Sequence, residues 1–431
     1  MTERPAYATA SGWNAIARNR IAVQAASRVP RHADYVVVGA GFAGLAVAHA
    51  LARRHADRRV VLLDAGQPGA NSSGRNSGFM IDLPYARISA GDAARHAWQT
   101  RLLGFGREAL ARIVTTQAID CDWRETGHYK VATTAGGRDK LDALAMTLDA
   151  RRVEYRALDA DAIRRELGTL HYRAALWLRN CTLVQPAELV HGLIASLPAN
   201  VEIRFGTPVK KLARAATWTL DTPHGEISSP CVALCVNTAL PRFGYARYRQ
   251  LAVYTYAGLT RRLTDAEFAS LGEPDDWGAT PVERLEATSR KVNGNRLLFR
   301  QGFSYETELD PANVRPMLTA GLRARYPFLG DNAFEYVWGG AVSMTRNDAP
   351  VLDRPAAGLY TLSGCNASGI LKMTALGELL ADIVSGADSP LLAETLRFAD
   401  PGFIPPEPIR RIAVHLNLKR FARELTSGAP S

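Results

Sequence analysis

The stretch Asp34-Tyr-Val-Val-Val-Gly-Ala-Gly-Phe-Ala-Gly44 carries an apolar, β-branched run straight into a glycine-spaced turn. Gly39 permits a tight turn off the strand, Gly41 lets backbone approach a pyrophosphate, and Gly44 lets the next helix pack closely on the sheet. Around this core, Tyr35 to Val38 reads as a buried strand, Leu45 to Arg54 as an Ala/Leu-rich helix, and Val60 to Leu63 as a second strand ending in Asp64. That carboxylate lies 20 residues beyond Gly44, where such a unit places its acceptor for a ribose hydroxyl. The helix would direct its N-terminal amides at phosphate charge. The stretch predicts a dinucleotide site, with a glycine-rich structural turn as the alternative.

At 431 residues the chain predicts two intimately joined domains able to bury a large cofactor. Apolar residues make up 47% and charged residues 22%, a soluble globular balance. The run from Tyr35 to Ala52 is long enough for a bilayer, but its glycines and strand–turn–helix pattern fit a buried βα unit, so no transmembrane helix is expected. Met1 to Ala10 lacks a basic start and apolar core, and Arg53-Arg54 lie inside a helix; a cytoplasmic location follows as the expectation. The five cysteines (Cys121, Cys181, Cys231, Cys235, Cys365) contain no CxxC pair, which argues against a disulfide framework or a metal site. Cys231 and Cys235 read as neighbours on a buried strand. The net charge of +10 would steer anionic substrates or an anionic surface. The arginines are spread along the chain without aromatic interleaving, so no nucleic-acid partner is expected.

Residues 1–33 read as a leader wrapped over the body, anchored at Trp13. Gly69 to Gly78 is a small-residue polar loop suited to close approach of a planar ligand. From Ile88 to Arg165 the pattern is mainly helical, interrupted by an extended Gly127–Ala132 segment. Val184 to Val190 turns into a helix with Pro186 in its first turn; Val201 to Phe205 is a strand, and Trp218 to Ile227 a hairpin with His224-Gly225 at its tip. A buried strand from Cys231 to Val236 runs into Asn237. Leu251–Ala257, Arg296–Gly302 and Phe334–Gly339 predict an antiparallel sheet outside the nucleotide domain. Gly358–Gly364 is a strand entering a second glycine-bearing turn, followed by a helix from Ile370 to Ser385. The fold class is α/β: a Rossmann-like dinucleotide-binding domain (34–90, 176–250 and 335–390) with an α+β substrate domain (91–175 and 251–334) built on an antiparallel sheet. A tail, 391–431, carries a basic amphipathic helix.

VVVGAGFAGLAVA with Asp64, SSGRNSG at Ser72 to Gly78, Thr207-Pro-Val209, Asn237-Thr-Ala239 and SGCNASGILKMTALG from Ser363 to Gly377 occur in one order. In these motifs the chain resembles the D-amino-acid-oxidase-like FAD-dependent oxidoreductases, over about residues 34–390 and closest to the pipecolate and γ-glutamylputrescine oxidase-like branch. The resemblance implies that Gly39, Gly41, Phe42, Ala43 and Gly44 bind the FAD pyrophosphate, Asp64 with Ala65 the adenosine ribose, and Val209 the adenine. It sets Ser73, Gly74, Arg75, Asn76 and Ser77 beside the isoalloxazine, and Gly364, Gly369, Ile370, Leu371, Lys372 and Met373 over its pyrimidine end. Asn237 would lie at the cofactor or merely close a turn. Some sarcosine-oxidase-like members attach flavin through a cysteine where this chain has Ala341, so FAD is expected to be non-covalent unless Cys365 or Cys121 takes the role.

The implied reaction is oxidation of an amino acid or secondary amine to the imine, by hydride transfer to flavin N5. A cyclic amino acid such as pipecolate or proline is the first expectation and a γ-glutamylated polyamine the second. A non-catalytic FAD-binding or maturation subunit is the reading from a different class. Positioning carries most of the chemistry, and the nine histidines supply no evident acid–base dyad; His49 and His55 read as surface residues of the first helix. Arg346 and Arg300 are candidate carboxylate clamps, with surface ion pairs as the alternative. Lys372 matches a position where relatives place a lysine near flavin and substrate. Tyr254 and Tyr256 share one strand face and either line the pocket or pack in the core. The electron acceptor is oxygen or a quinone-type carrier. The basic, apolar helix after Pro408 suits peripheral contact with a membrane, or docks on the body.

Overall fold

The structure is a computed structural model describing residues 7–23, 28–84 and 93–426. Parts of the leader (1–6, 24–27), the 88–92 start of the helical stretch and the end of the tail (427–431) lie outside the described residues.

The β-branched run becomes the strand Tyr35–Val38, hydrogen-bonded in parallel to Val60–Leu63 on one side and Cys231–Leu234 on the other. Strands buried on both faces read as continuous apolar runs, and Tyr35–Val38 and Val60–Leu63 at the middle of the six-stranded sheet are of this kind. Its order is Val351–Ala356, Leu359–Ser363, Cys231–Leu234, Tyr35–Val38, Val60–Leu63, Val201–Arg204, antiparallel only at the first pair. Helices Phe42–Arg54, Ala93–Thr116 and Gly369–Ser385 share one apolar cluster with this sheet. A three-stranded sheet of residues 211–229 contributes Trp218, Leu220 and Ile227 to a second cluster with it.

Every residue from Phe42 to Ala52 is buried. His49 is therefore an interior group, not a surface one: its Nε2 bonds the Leu193 carbonyl at 2.9 Å, and burial lowers its pKa. The hairpin closes one step earlier than expected. Thr222 pairs with Gly225, leaving Pro223-His224 as the loop.

The second sheet has eight strands in the order Phe334–Met344, Leu251–Thr260, Arg296–Tyr305, Thr288–Val292, Trp277–Pro281, His128–Ala132, Ala174–Leu178, Tyr155–Leu158. One face packs Tyr129, Val131, Leu297 and Phe299 against helices Ala160–Leu167 and Pro311–Arg325; the other faces the first domain at one end and packs Ala132, Leu176 and Leu178 against helix Ala135–Ala150 at the other. Tyr155–Leu158 is a strand inside a stretch that reads as helical, because it pairs with Ala174–Leu178.

The structure differs from the sequence-based division at three places. Helix Ala93–Thr116 buries Trp98, Leu102 and Leu110 in the first domain's cluster. Ala174–Leu178 straddles the 175/176 boundary, and Phe334–Met344 is an edge strand of the eight-stranded sheet. Which face an element buries depends on distant neighbours, and local pattern does not carry that information.

Candidate functional site

Gly39 and Gly44 of the opening turn fill spaces that admit no side chain. Gly39 has φ +105°, and a Cβ there would lie 2.4 Å from the Cys235 carbonyl oxygen. At Gly44 it would lie 1.8 Å from the Gly39 oxygen, so this helix sits on its strand only with glycine present. Gly41 faces the Ser73 hydroxyl. The helix beginning at Phe42 has no side-chain cap from its N-cap residue; the Phe42 amide instead donates to Ser73 Oγ at 3.1 Å. At the end of the second strand, Asp64 accepts the Ala40 amide at 2.8 Å and the Gly66 amide at 2.6 Å.

This turn opens into a cleft of about 470 Å³ between the two sheets. Gly39, Gly41, Phe42, Ala43, Asp64, Ala65, Ser73, Arg75, Asn76, Ser77, Val209, Asn237, Gly369, Ile370 and Leu371 all line it. Asn237 is held left-handed at φ 48° by two acceptor bonds to its carbonyl, from Gln250 and Ser363. The helix Gly369–Ser385 also starts at this cleft, with no side-chain cap bond at Ser368. Two helix N-termini thus present amides to one cavity, an arrangement that favours anions.

The FAD dependent oxidoreductase family, DAO, matches residues 34–383. The chain belongs to this family. It is 25% identical over 371 residues to the γ-glutamylputrescine oxidoreductase of Escherichia coli, covering 82% of this chain and 84% of that one. Its fold matches glycine oxidase from Geobacillus kaustophilus with a TM-score of 0.73 at 19% identity, covering 84% of this chain and 96% of that one. L-proline dehydrogenase from P. horikoshii matches with a TM-score of 0.69 at 14% identity, covering 85% and 96%. The protein is an FAD-dependent oxidoreductase.

The residues present fit the family's cofactor. The glycine cradle that a Cβ would fill, the Asp64 carboxylate beyond it and the two helix N-termini suit a molecule carrying both ribose and pyrophosphate. Ala341, at the position compared with the flavin-linking cysteine, has no thiol but lines the cleft, as does Cys365; Cys121 is buried elsewhere. Acid precipitation of the yellow protein is expected to leave the flavin in the supernatant. A yellow pellet would instead show a covalent bond to the protein and overturn this expectation.

The substrate-side candidates separate. Arg300 lines the cleft, donates from Nε to Thr255 Oγ1 at 2.7 Å, and lies over the Phe303 ring with its guanidinium carbon 4.9 Å from the centroid. It has no acidic partner within salt-bridge distance among the described residues. Burial pulls its pKa down to about 10, leaving it a cation at neutral pH. Arg346 is exposed, lies alongside Gly402 and does not reach the cleft, because the strand has already ended in a surface turn. Lys372 points away from the cavity. Its Nζ donates to the Asp348 carbonyl at 2.9 Å, and burial lowers its pKa to about 8.

Tyr254 and Tyr256 belong to the core beneath the sheet, since successive residues of a strand alternate faces. The phenol of Tyr256 bonds Ser304 and accepts the Leu309 amide at 2.7 Å. Thr255 and Ala257, from the opposite face, line the cleft. Gly44, Gly74 and Gly364 lie behind it and shape its turns; a Cβ on Gly74 would meet the Gly69 carbonyl oxygen at 2.1 Å. Arg75 lines the cavity but spends its donors on the backbone carbonyls of Ala70, Gly339 and Thr9, so it ties the loop to its neighbours.

Sequence reasoning missed Tyr7. Its ring lies 3.7 Å from the Arg75 guanidinium carbon. The Ala341 amide donates to its phenol oxygen, the phenol bonds Ser72, and Ser72 donates to the Ala341 carbonyl, closing a ring of bonds at the cleft wall. The arm carrying it is secured by Trp13, which is fully buried and donates to the Asn76 carbonyl at 2.8 Å. The signal available in sequence was Trp13 itself: a lone tryptophan in an aperiodic segment marks an anchor.

Proposed function

We propose that the protein oxidises a carboxylate-bearing amine, an amino acid or secondary amine, to the corresponding imine. The supporting observation is Arg300, a cation on the cleft wall whose hydrogen bonds among the described residues go to threonine hydroxyls. A guanidinium so placed binds a carboxylate through paired N–H donors and fixes the substrate's orientation. Bound FAD supplies the acceptor for the electrons lost when a C–H bond beside nitrogen becomes C=N. The protein positions the amine: Thr255, Ala257 and Thr288 form the wall beside Arg300. No histidine lines the cleft among the described residues, and Asp64 is its one carboxylate; the amine must therefore arrive neutral. Pipecolate, proline and γ-glutamylated polyamines are the compounds to assay first. Anaerobic mixing with the true substrate class should bleach the bound flavin, and admitting air then separates an oxidase from a dehydrogenase. No bleaching by any of these compounds would remove the reading.

The tail supports a second proposal, contact with an anionic membrane surface. Helix Ile409–Thr426 rests on the body through Arg410, whose guanidinium is 2.8 Å from Glu306, and through Phe421, which lies under Arg284. The opposite side leaves Ile409, Ile412 and Leu416 exposed at 59%, 58% and 62%, beside exposed Arg411 and Lys419. An apolar stripe flanked by basic residues suits an anionic lipid surface. Among the described residues no helix is long and apolar enough to cross a membrane. The protein should float with anionic liposomes, and the double variant Ile412→Asp/Leu416→Asp, like removal of residues 404–431, should abolish flotation. A wild type that stays in the dense fraction defeats this reading.

A further inference from the structure

The family matches this chain from residue 34 onward, yet the segment ahead of that point is built into the wall of the cleft. Ser11 is 2% exposed and Trp13 is fully buried. Ser11 Oγ donates to the Gly74 carbonyl at 3.0 Å, Trp13 Nε1 to the Asn76 carbonyl at 2.8 Å, and Asn14 Nδ2 to the Pro68 carbonyl at 3.1 Å. Arg75 donates in the other direction, to the Thr9 carbonyl at 2.6 Å. The approach is close: a Cβ on Gly69 would lie 2.7 Å from Asn14 Oδ1. All these bonds fall on or beside the loop from Gly69 to Gly78, whose Ser73, Asn76 and Ser77 line the cofactor cleft.

The other side of the arm is held by elements outside that loop. Thr9 Oγ1 donates to the Val337 carbonyl at 2.8 Å, on the edge strand of the eight-stranded sheet. Gln185 Nε2, at the cap of helix Pro186–Ala195, donates to the Trp13 carbonyl at 2.9 Å. Gly12 leaves room for the Trp338 ring, which a Cβ there would meet at 2.8 Å, and the Trp338 indole donates to the Arg75 carbonyl at 3.0 Å. The carbonyls of Gly74, Arg75 and Asn76 are thus pinned by Ser11, Trp338 and Trp13. A glycine-bearing loop loses much backbone freedom when it is fixed, and its peptide groups need partners to stay fixed. Two of those partners lie 63 residues earlier in the chain.

We propose that residues 7–17 are a clamp on the cofactor loop, with Ser11 and Trp13 as positioning residues, so that docking of the arm and retention of FAD are coupled. The arm holds the loop in the shape that accepts the flavin, and FAD leaves when the arm releases the loop. Coupling of this kind is reciprocal: what the arm adds to the affinity for FAD, FAD adds to the docking of the arm. The inference stands apart from the choice of substrate.

Hydrogen exchange in the full chain, loaded with FAD and stripped of it, tests this without a variant. The amides of Asn14 and Ala15, bonded to Ser11 at 3.1 and 3.0 Å, are expected to exchange about tenfold more slowly with FAD bound. The amides of helix Pro186–Ala195, on which the arm also rests, should change little. Trp13→Phe removes the donor to the Asn76 carbonyl; FAD should then dissociate about tenfold faster, and the rise in unfolding temperature that FAD confers should shrink. A merely structural role for Trp13 would lower the unfolding temperatures of both forms equally and leave the release rate unchanged, which overturns the clamp. Arm amides that exchange at one rate with and without FAD, or loosening that extends equally to helix Pro186–Ala195, overturn it as well. The exchange comparison uses the wild type alone, so it decides the matter even if Trp13→Phe fails to fold.

Discussion

Gly44→Ala is expected to yield a protein that no longer retains FAD and unfolds at markedly lower temperature. The added Cβ would sit 1.8 Å from the Gly39 carbonyl oxygen in the turn and 3.3 Å from Val37 Cγ1 on the strand beneath the helix. Neither is the free end of a flexible side chain, so the helix must lift from the sheet. Forced overpacking of this kind costs about 1–3 kcal/mol, and backbone contacts put this site at the upper end. The shift also moves the Phe42 and Ala43 amides that line the cleft. Flavin absorbance per protein and a thermal unfolding curve check both effects. Gly136→Ala is the matched control: its Cβ meets nothing within 4 Å in the helix Ala135–Ala150, and alanine there should stabilise by about 0.5–1 kcal/mol. A Gly44→Ala protein that stays yellow and as stable as the wild type would show that close helix–strand approach is not what holds the cofactor turn.

The second large effect is at Arg300. Arg300→Met is expected to lower kcat/KM for a carboxylate-bearing amine by roughly thirty-fold to several thousand-fold, the range for losing one partner of a desolvated charge pair, about 2–5 kcal/mol. FAD content should be unchanged, because Arg300 lies on the substrate sheet and the cofactor cradle on the other. Arg300→Lys should recover only part of the loss, since a point charge cannot reproduce the paired N–H donors of a guanidinium. An amine lacking the carboxylate should be nearly indifferent to either change. Unaltered kinetics in Arg300→Met would remove the clamp, and Arg346 could not replace it from its exposed position beside Gly402.

The cofactor half of the site was legible because its chemistry is carried by backbone. Gly39, Gly41, Gly44 and Asp64 sit in one βαβ unit whose geometry is local, so spacing along the chain is also spacing in space. The Ser73–Ser77 loop and the Gly369–Leu371 turn were legible through resemblance to whole motifs. The substrate half was not. Tyr254 and Tyr256 share a strand face, but nothing in the run Leu251 to Ala257 says whether that face meets the cleft or the helix Pro311–Arg325. The helix decides it, lying about 60 residues away in sequence. Arg346 and Arg300 look alike in sequence, yet one falls in a turn beyond its strand and the other at the centre of a sheet.

The sequence by itself determined the dinucleotide cradle, the α/β class and membership of an FAD-dependent family, since each is legible in motifs and strand–helix patterns that are local in the chain. Only the tertiary structure decided which cations face the cavity and that Tyr7 of the leader completes its wall. Those facts depend on strand register and on which face of each sheet is covered, and both are set by the burial of apolar surface between elements far apart in sequence.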